Sequence, residues 1–421
     1  MEGLAYEKKQ ALPPELEFSR ALPKELGGSD GKWAVCVPKN GTVFAPASFT
    51  LIDLVRSSNS VWDPKNSYLR FSVKMGDTAD TDAGTIAGSA ACFISSIETF
   101  HNSVAIDNIR AYDLMHNIML DCTMSHSYRG GTGNICWGCL ATGGLPGIAL
   151  ARNTEYFFSL PLLSIFGSNT DTALPTHDMH GYLSWRITWN NNIKAIAAGG
   201  AADPNFVIQN VEMHCCMTEL SETPLRLVSS PSYRIPTQGI SNWSTTFNSG
   251  TVLNLTIPFR YRDLRQILLC FRVGTVETTR GYYSNSRSTK DIESYQFLIG
   301  GRAYPPTRVR CKTTGHIDPY MQLQNSFHIS PGSALNLGII NNTNYKLDNN
   351  TAGTGTFCIG LNCESYNGHS GALECGMDTT NTDIIFSCTF GTAVAAATIV
   401  DAFAIYGAEI LVEDGQSILV Y

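Results

Sequence analysis

Apolar and polar residues alternate at a period of two along much of this chain, a pattern that predicts β-strands. The first such segment is Phe49-Thr50-Leu51-Ile52-Asp53-Leu54, and the pattern returns at 68–73. Other predicted strands of the first half lie at 92–100, 104–109, 156–163, 182–189 and 206–217. Those of the second half lie at 251–259, 266–273, 295–299, 308–311, 326–329, 357–362, 384–390 and 402–412. Each half therefore holds roughly eight strands.

The two halves of the chain repeat one another at an offset of about 200 residues. The matching segments are 69–73 with 269–273, 97–100 with 292–295, 185–189 with 386–390 and 206–213 with 403–410. These matches pair Phe71 with Phe271 and Phe206 with Phe403. Because the four matches occur in the same order, they predict a duplicated all-β module whose copies superpose.

The number of strands in each half favours a jelly roll. Eight antiparallel strands in about 200 residues suit that fold, whereas an immunoglobulin-type sandwich needs only about 100. The predicted fold is all-β, with two tandem eight-stranded jelly rolls and an extended N-terminal arm. The domains are the arm at 1–40, the first jelly roll at 41–225 and the second at 238–421. The boundary is placed at 221–238, where Pro224, Pro231 and Pro236 cluster without a strand pattern.

Some segments depart from the strand pattern. Apolar residues at 111–119 have helical spacing, which predicts a short helix. A second helical piece is expected at 14–20 within the arm. Gly and Asn enrichment predicts exposed loops at 130–147, 274–290 and 341–356.

The low content of charged residues predicts that much of the surface is covered by other protein subunits. Only 15% of the 421 residues are charged, below the typical share of about 25%. Large, weakly charged surfaces usually mark subunit contacts. The net charge of -7 argues against a nucleic-acid binder, which needs a basic patch. The arm mixes acidic and basic residues, so it does not neutralise a packaged genome.

The N-terminus and the cysteines of the chain indicate the compartment in which the protein is made. The N-terminus opens without an apolar run, so we expect no secretory signal. The 13 cysteines then indicate reduced thiols packed as small apolar side chains, in a protein made in the cytosol. The most apolar stretch, at 392–412, has the length of a membrane span, but its charges and its repeat partner favour a core strand.

Three sets of residues resemble ligand motifs without completing one. Cys136 and Cys139 form a CxxC that lacks the second pair of a structural zinc site. His177 and His180 precede a strand on which they would face opposite sides. Three aspartates in a Gly-bounded turn depart from the EF-hand spacing, namely Asp77, Asp80 and Asp82. The His214-Cys215-Cys216 run is interpreted as a strand end. The sequence therefore assigns no catalytic, cofactor-binding or metal-ligating residue, predicts no cofactor and does not indicate an enzyme.

The paired architecture resembles the double jelly-roll major capsid proteins of double-stranded DNA viruses, a lineage that includes adenoviruses, tectiviruses, virophages and Polinton-like elements. The segments that carry the resemblance are 93–102, 292–301 and Tyr304-Pro305-Pro306. The resemblance implies a structural protein of the virion, assembled inside the host cell. Its homotrimers, with a pseudo-hexameric outline, would tile an icosahedral shell. The implied partners are neighbouring capsomers, penton and minor capsid proteins and an internal membrane, with no sequence-specific nucleic-acid binding.

Two alternatives stay open at this point. A tandem jelly-roll protein that binds or processes glycans would need a groove of exposed aromatic residues with paired carboxylates, but the six tryptophans are spread along the chain. A minor capsid component is the other alternative, although pentons usually contain a single jelly roll.

Overall fold

A computed structural model describes residues 29–55, 58–76, 83–140, 147–167, 173–197, 204–221, 232–274, 286–329, 340, 342–347, 355–365, 376–394, 397–413 and 416–420. The strands of the first half are β1 (Ser29–Cys36), β2 (Val43–Phe44), β3 (Phe49–Asp53), β4 (Ser60–Met75), β5 (Gly84–Ile86), β6 (Ile94–His101), β7 (Val104–Arg110), β8 (Ala149–Leu150), β9 (Glu155–Leu160), β10 (Leu183–Trp189), β11 (Ile196–Ala197) and β12 (Phe206–Leu220). Those of the second half are β13 (Ser232–Phe247), β14 (Gly250–Ile257), β15 (Leu264–Val273), β16 (Ile292–Ile299), β17 (Arg302–Arg310), β18 (Ile359–Asn362), β19 (Ile384–Val394), β20 (Thr398–Glu413) and β21 (Gln416–Val420).

Helices occupy the connections between strands. The α-helices are α1 (Tyr112–Thr123), α2 (His126–Tyr128), α3 (Asn134–Trp137), α4 (Asn192–Ala195), α5 (Ile317–Ser326) and α6 (Asn342–Tyr345). Short 3₁₀-helices lie at Ala90–Phe93 and Lys312–Thr314, and a π-helical turn lies at Arg129–Gly133. In the part of the chain that the structure describes, no helix is long and apolar enough to cross a membrane.

Each half is a sandwich of two antiparallel sheets, and the two halves share one strand order. Sheet 1 runs β1-β12-β4-β9 and sheet 2 runs β3-β10-β6-β7. Sheet 3 is the small β11-β5-β8 sheet. Sheets 4 and 5 of the second half run β13-β20-β15-β18 and β14-β19-β16-β17. Each half has eight principal strands, which are β1, β3, β4, β6, β7, β9, β10 and β12 in the first half and β13 to β20 in the second. When these are numbered 1 to 8 in chain order, one sheet of each half has the order 1-8-3-6 and the other has the order 2-7-4-5. This is jelly-roll topology twice over, and the predicted fold class is confirmed.

The ladder registers show how the two sandwiches correspond. Leu69 pairs with Met213, and Leu269 pairs with Ala402. Because Phe71 and Phe271 both point into their cores, the match of 69–73 with 269–273 is correct. Met213 therefore corresponds to Ala402, and the predicted equivalence of Phe206 and Phe403 is wrong. An alternating pattern matches itself after a slip, so apolar spacing alone does not set the register.

Aromatic side chains fill the space between the sheets of each sandwich. In the first sandwich Phe71 packs against Phe93 and Trp189. In the second, Phe271 packs against Phe386 and Phe390. All of these side chains are buried, because the strands alternate between core-facing and outward-facing residues.

Several predicted boundaries shift. The helix predicted at 111–119 is confirmed and extends to Thr123 as α1. The strand predicted at 326–329 is wrong, because Ser326 ends helix α5. Strand β1 begins at Ser29 and pairs with β12, so this part of the predicted arm belongs to the first sandwich. Likewise β13 begins at Ser232, ahead of the predicted start at 238. Residues 1–28, including the predicted helical piece at 14–20, lie outside the described residues.

The predicted exposed loops contain both exposed and buried residues where the structure describes them. Arg129–Asn134 is helical, and Cys139 is buried. At the end of the second predicted loop, Arg287 and its neighbours Ser286, Ser288 and Thr289 are buried. In the third, Tyr345 and Thr356 are buried. Residues 130–132 and Ile135 of the first loop and residues 342–343 of the third are exposed, so the prediction holds for part of the described residues and not for the buried ones.

Candidate interaction surfaces

The two cysteines of the CxxC differ in burial. Cys139 is buried beside Leu120 and Met124, whereas Cys136 is half-buried on α3. Burial raises the pKa of the Cys139 thiol to about 11, so it stays protonated at neutral pH. The cysteines that the structure describes are free thiols and mostly buried.

The two histidines before β10 take part in different contacts. The His177 ring lies 3.3 Å from the carboxylate of Asp178, while the carbonyl of His180 accepts a hydrogen bond from the ring of His101 at 2.6 Å. His214 lies within β12 rather than at a strand end, so that prediction is wrong.

The third candidate set consists of Asp77, Asp80 and Asp82. Residues 77–82 are not among the described residues, so this set lies outside them. Among the residues that are described, no group of three His, Cys, Asp or Glu side chains is arranged to hold a metal ion.

Helix α1 lies in the junction between the two sandwiches. Ten of its 12 residues are buried, far more than the single apolar stripe of a surface helix. One part of α1 contacts the first sandwich: the carbonyl of Pro161 accepts a hydrogen bond from the Tyr112 hydroxyl, which in turn accepts one from the backbone N–H of Leu163. Other residues of α1 interact with the second sandwich, so the helix is covered on opposite sides.

A buried ion pair joins the two sandwiches through α1. Arg287 of the second sandwich donates to the carboxylate of Asp121 at 2.5 Å, and Arg129 lies 3.5 Å from the same carboxylate. All three residues are nearly inaccessible to solvent. A second link is the hydrogen bond that the Thr237 hydroxyl donates to the carbonyl of Ile165 at 3.1 Å. Since removing one member of a buried pair leaves an uncompensated charge, this junction depends on all of its members.

The outer face of sheet 4, which points away from its own sandwich core, is covered by protein. Arg272 donates to Asp401 at 2.6 Å, and their side chains are 5% and 1% exposed. Burial raises the pKa of Asp113 on α1, while the positive charges of Lys194 and Arg272 act to lower it. Phe403, on the same outer face, is fully buried. Helix α1 therefore brings a carboxylate close to the Arg272–Asp401 pair.

The outer face of sheet 1, the corresponding surface of the first sandwich, is open. We define it by its outward-facing residues Trp33, Val35, Tyr68, Arg70, Glu212 and His214. Arg70 and Glu212 form an ion pair at 2.6 Å, with side chains 44% and 25% exposed. Around them the Tyr68 ring stacks on His214 at 4.9 Å and lies 5.7 Å from Trp33. Trp33 is 56% exposed, so an aromatic patch surrounds this ion pair in contact with solvent.

Helix α5 of the second sandwich corresponds to α1 in its position after the fifth strand. One side of α5 packs on β18, where the Ser326 hydroxyl accepts a hydrogen bond from Gln266 of β15 at 3.0 Å. Only Pro319, Leu323 and Ser326 of its ten residues are buried. Ile317, at its first turn, is 63% exposed. Helix α5 is thus packed on one side and open on the other.

An acidic side chain is buried beside the junction. Asp107 of β7 accepts a hydrogen bond from the backbone N–H of Ile165 at 3.2 Å. Burial raises its pKa to about 7, and hydrogen bonds to the carboxylate oppose that rise only in part. On α1, burial alone lowers the pKa of His116 to about 4. In both groups burial disfavours the charged form of the side chain.

The sequence contains a signal for the covered face that the pattern analysis did not use. Residues 400–408 of β20 are buried without alternation. A strand that is apolar on both faces is typical of a sheet covered on both sides. Within that run Asp401 is the one acidic residue, and it marks the position of the buried ion pair. The apolar run by itself does not show that the second face of the sheet is covered by another domain.

Solved structures of very different sequence share this fold. One is VP54 of the virus PBCV-1, as fitted into a reconstruction of the virophage Sputnik, at 10% identity and a TM-score of 0.64, covering 94% of this chain and 97% of that one. Another is the Faustovirus major capsid protein, at 7% identity and 0.62, covering 90% of each chain. A third is the mavirus major capsid protein, at 11% identity and 0.53, covering 92% and 90%. No protein-family description and no curated protein matches the sequence.

Proposed function

We propose that this chain is a structural major capsid protein whose homotrimers, pseudo-hexameric in outline, build an icosahedral viral shell. The observation that carries the proposal is the double jelly roll, shared over at least 90% of both chains with the Faustovirus and mavirus major capsid proteins. Under this proposal the protein acts by packing against copies of itself in the virion and not as an enzyme.

The distribution of burial supports self-association. The outer face of sheet 4 is closed by the chain itself, but the outer face of sheet 1 exposes aromatic rings around an ion pair. Exposed apolar patches rimmed by polar residues mark contact surfaces. A subunit that is to tile a shell needs such surfaces on several sides.

The mass of the purified protein in solution tests the proposal. We expect a particle of three times the 45.8 kDa chain mass, and shells visible by electron microscopy when the protein is expressed with its assembly partners. Native mass spectrometry and light scattering give the mass. A monomer that binds glycans would contradict the proposal and favour a tandem jelly-roll lectin or glycan-processing protein. Assembly at shell vertices alone would instead indicate a minor capsid component.

We further propose that residues 1–28 order against another component of the particle, such as a neighbouring capsomer, a minor capsid protein or an internal membrane. Their acidic and basic residues nearly balance, and apolar residues are interspersed among them. Removing residues 2–28 should leave trimers intact, because β1 begins at Ser29 and the buried hydrophobic cluster of the described residues begins at Cys36. Closed shells should then form poorly.

A matched control for that truncation replaces only the apolar side chains of the segment by Ser and keeps its charge; these are Leu4, Tyr6, Leu12, Leu16, Phe18 and Leu22. It should impair shell closure to a similar extent. Normal shells from both variants would show that the segment has no structural role in assembly.

A further inference from the structure

We propose that helix α5 of one copy docks on the outer face of sheet 1 of a second copy, with Asp318 placed against Arg70. This inference rests on the proposed function, because it names the surfaces through which the subunits of one capsomer associate. It follows from the internal duplication, since the chain already contains one completed example of the same contact.

The completed example is the junction inside the chain. There the helix that follows the fifth strand of the first sandwich, α1, lies against the second sandwich. Asp121 pairs with Arg287, and the carboxylate of Asp113 interacts with the charge of Arg272. A junction of this kind uses one surface of the first sandwich and a different surface of the second. Each sandwich therefore carries one surface that the junction leaves unused: the outer face of sheet 1 in the first, and helix α5 in the second.

The two helices have matching starts. The residue before α1, Ala111, has a φ of 47°, and the residue before α5, His316, has a φ of 64°. This left-handed conformation is uncommon outside glycine, so its recurrence at the same topological position is a local mark of equivalence. Asp113 and Asp318 are each the second residue of their helix. Asp318 therefore corresponds to Asp113, the aspartate whose charge acts on Arg272.

The two outer faces also match. Glu212 lies opposite Arg70 in sheet 1, and Asp401 lies opposite Cys270 in sheet 4. Each carboxylate binds an arginine of the third strand at 2.6 Å: Arg70 in the first sandwich, and Arg272, two residues further along, in the second. The same arginine–carboxylate arrangement is thus covered in one sandwich and exposed in the other.

The uncovered surfaces are complementary. Helix α5 presents the exposed Ile317 beside the half-buried Asp318. The outer face of sheet 1 presents Trp33 and Val35 beside Arg70, whose side chain is 44% exposed. An apolar side chain then meets an apolar patch while a carboxylate meets a guanidinium, which is the pairing that interfaces use for orientation.

The contact joins two different surfaces, so it is heterologous. Heterologous contacts repeat head to tail and close into a ring when the rotation permits. In a closed trimer the contact between copies would alternate around the ring with the junction inside each copy. The outline would then be pseudo-sixfold, because six similar sandwiches meet through six similar contacts.

The first experiment places a photo-crosslinking amino acid, p-benzoylphenylalanine, at Ile317 of the full chain. Equal amounts of ¹⁴N- and ¹⁵N-labelled protein are mixed before assembly, so that mass spectrometry identifies links between copies. We expect links from position 317 to peptides of β1, β4 or β12 in another copy. Val252, which is 54% exposed on β14 of the second sandwich, is the matched control position and should not produce them. Links from 317 only to its own chain, or only to other strands, would overturn the proposal.

The second experiment reverses the charges. Arg70→Glu and Asp318→Arg should each raise the trimer dissociation constant by about 30-fold or more, since breaking a buried interfacial charge pair has an effect of that size. The double variant should recover most of the loss. Arg186→Glu is the matched control, because Arg186 is 42% exposed and pairs with Glu98 on sheet 2 of the same sandwich. An equal loss in Arg186→Glu, or a double variant no better than the single ones, would overturn the pairing.

The outcomes separate this inference from the proposed function. A wild-type protein that is monomeric and builds no shells would overturn both. Trimers that are unaffected by the charge reversals and cross-link elsewhere would leave the capsid function standing and overturn only the assignment of α5 and sheet 1. Circular dichroism of each variant shows whether the sandwiches remain folded, and the cross-link needs no change at either charged residue.

Discussion

The two sandwiches carry similar ion pairs on corresponding outer faces, yet the surroundings of the two pairs are opposite. Arg272–Asp401 is closed off from solvent, whereas Arg70–Glu212 is open. The separation is 2.6 Å in each pair, although Arg272 stands two residues further along its strand than Arg70. What differs is the neighbour: the junction places residues of the first sandwich, Asp113 of α1 among them, near Arg272, and nothing that the structure describes covers the outer face of sheet 1 in the same way. Whether such an ion pair is buried is therefore decided by the segment that packs on the sheet and not by the strands that carry the pair.

The same contrast appears in the helices. Helix α1 is buried on nearly all sides, and α5 only on the side that packs on β18. The sequence follows this difference, since α1 reads Tyr-Asp-Leu-Met-His-Asn-Ile-Met-Leu and α5 reads Ile-Asp-Pro-Tyr-Met-Gln-Leu-Gln-Asn. A duplicated fold has therefore specialised one helix for a permanent junction, while the other keeps polar residues typical of a surface that also meets water.

The largest expected difference in stability is between two variants that each remove the arginine of one ion pair. Arg272→Met should lower the free energy of unfolding by about 3–5 kcal/mol, because Asp401 would remain buried without its partner. Arg70→Met should lower it by less than about 1 kcal/mol, because water screens the exposed pair. Urea unfolding at concentrations where each variant is monomeric measures both values. Equal losses in the two variants would contradict the comparison.

Asp107 should make the pH dependence of stability specific to the first sandwich. Its folded pKa of about 7 lies above the unfolded value, so the folded state holds the proton more tightly and stability falls as pH rises from about 4 to 7. Asp107→Asn should remove about 2–3 kcal/mol of the difference between pH 5 and pH 8. The corresponding strand β17 has no acidic residue. Asp53→Asn, at an exposed pair with Lys39, is the control; an unchanged profile in Asp107→Asn would refute the assignment.

His116 should produce a smaller effect of the opposite sign. Its folded pKa of about 4 lies below the unfolded value near 6.5. Between these two pH values the unfolded state binds a proton that the folded state does not bind. Stability is then lost as pH falls from 6.5 towards 4. His116→Met introduces the residue found at the same position of α5, Met321, and should reduce the loss between pH 7 and pH 5 by about 2 kcal/mol. Thermal unfolding across that pH range tests this, and a steeper loss in the variant would contradict it.

The sequence by itself determined the all-β class, the duplication, the helix at α1 and the approximate position of most strands. These follow from local spacing, since side chains of a strand alternate between two faces whatever lies beyond them. The match of 69–73 with 269–273 is correct because the paired strands share a core-facing phenylalanine. Local spacing also explains the failures: the match of Phe206 with Phe403 slipped in register, and 326–329 was taken for a strand.

Only the tertiary structure decided which outward-facing residues are covered. The run at 400–408, which does not alternate, indicates that sheet 4 is covered on both faces, but it does not identify the distant segment that covers Arg272. The difference arises from the docking of one sandwich on the other, which brings residues distant in sequence, Asp113 of α1 among them, near Arg272. The same holds for the predicted exposed loop that contains Arg287, which is buried because Asp121 lies opposite it across the junction. Burial is set by contacts between distant segments, and a periodic pattern reports only the face on which a residue lies.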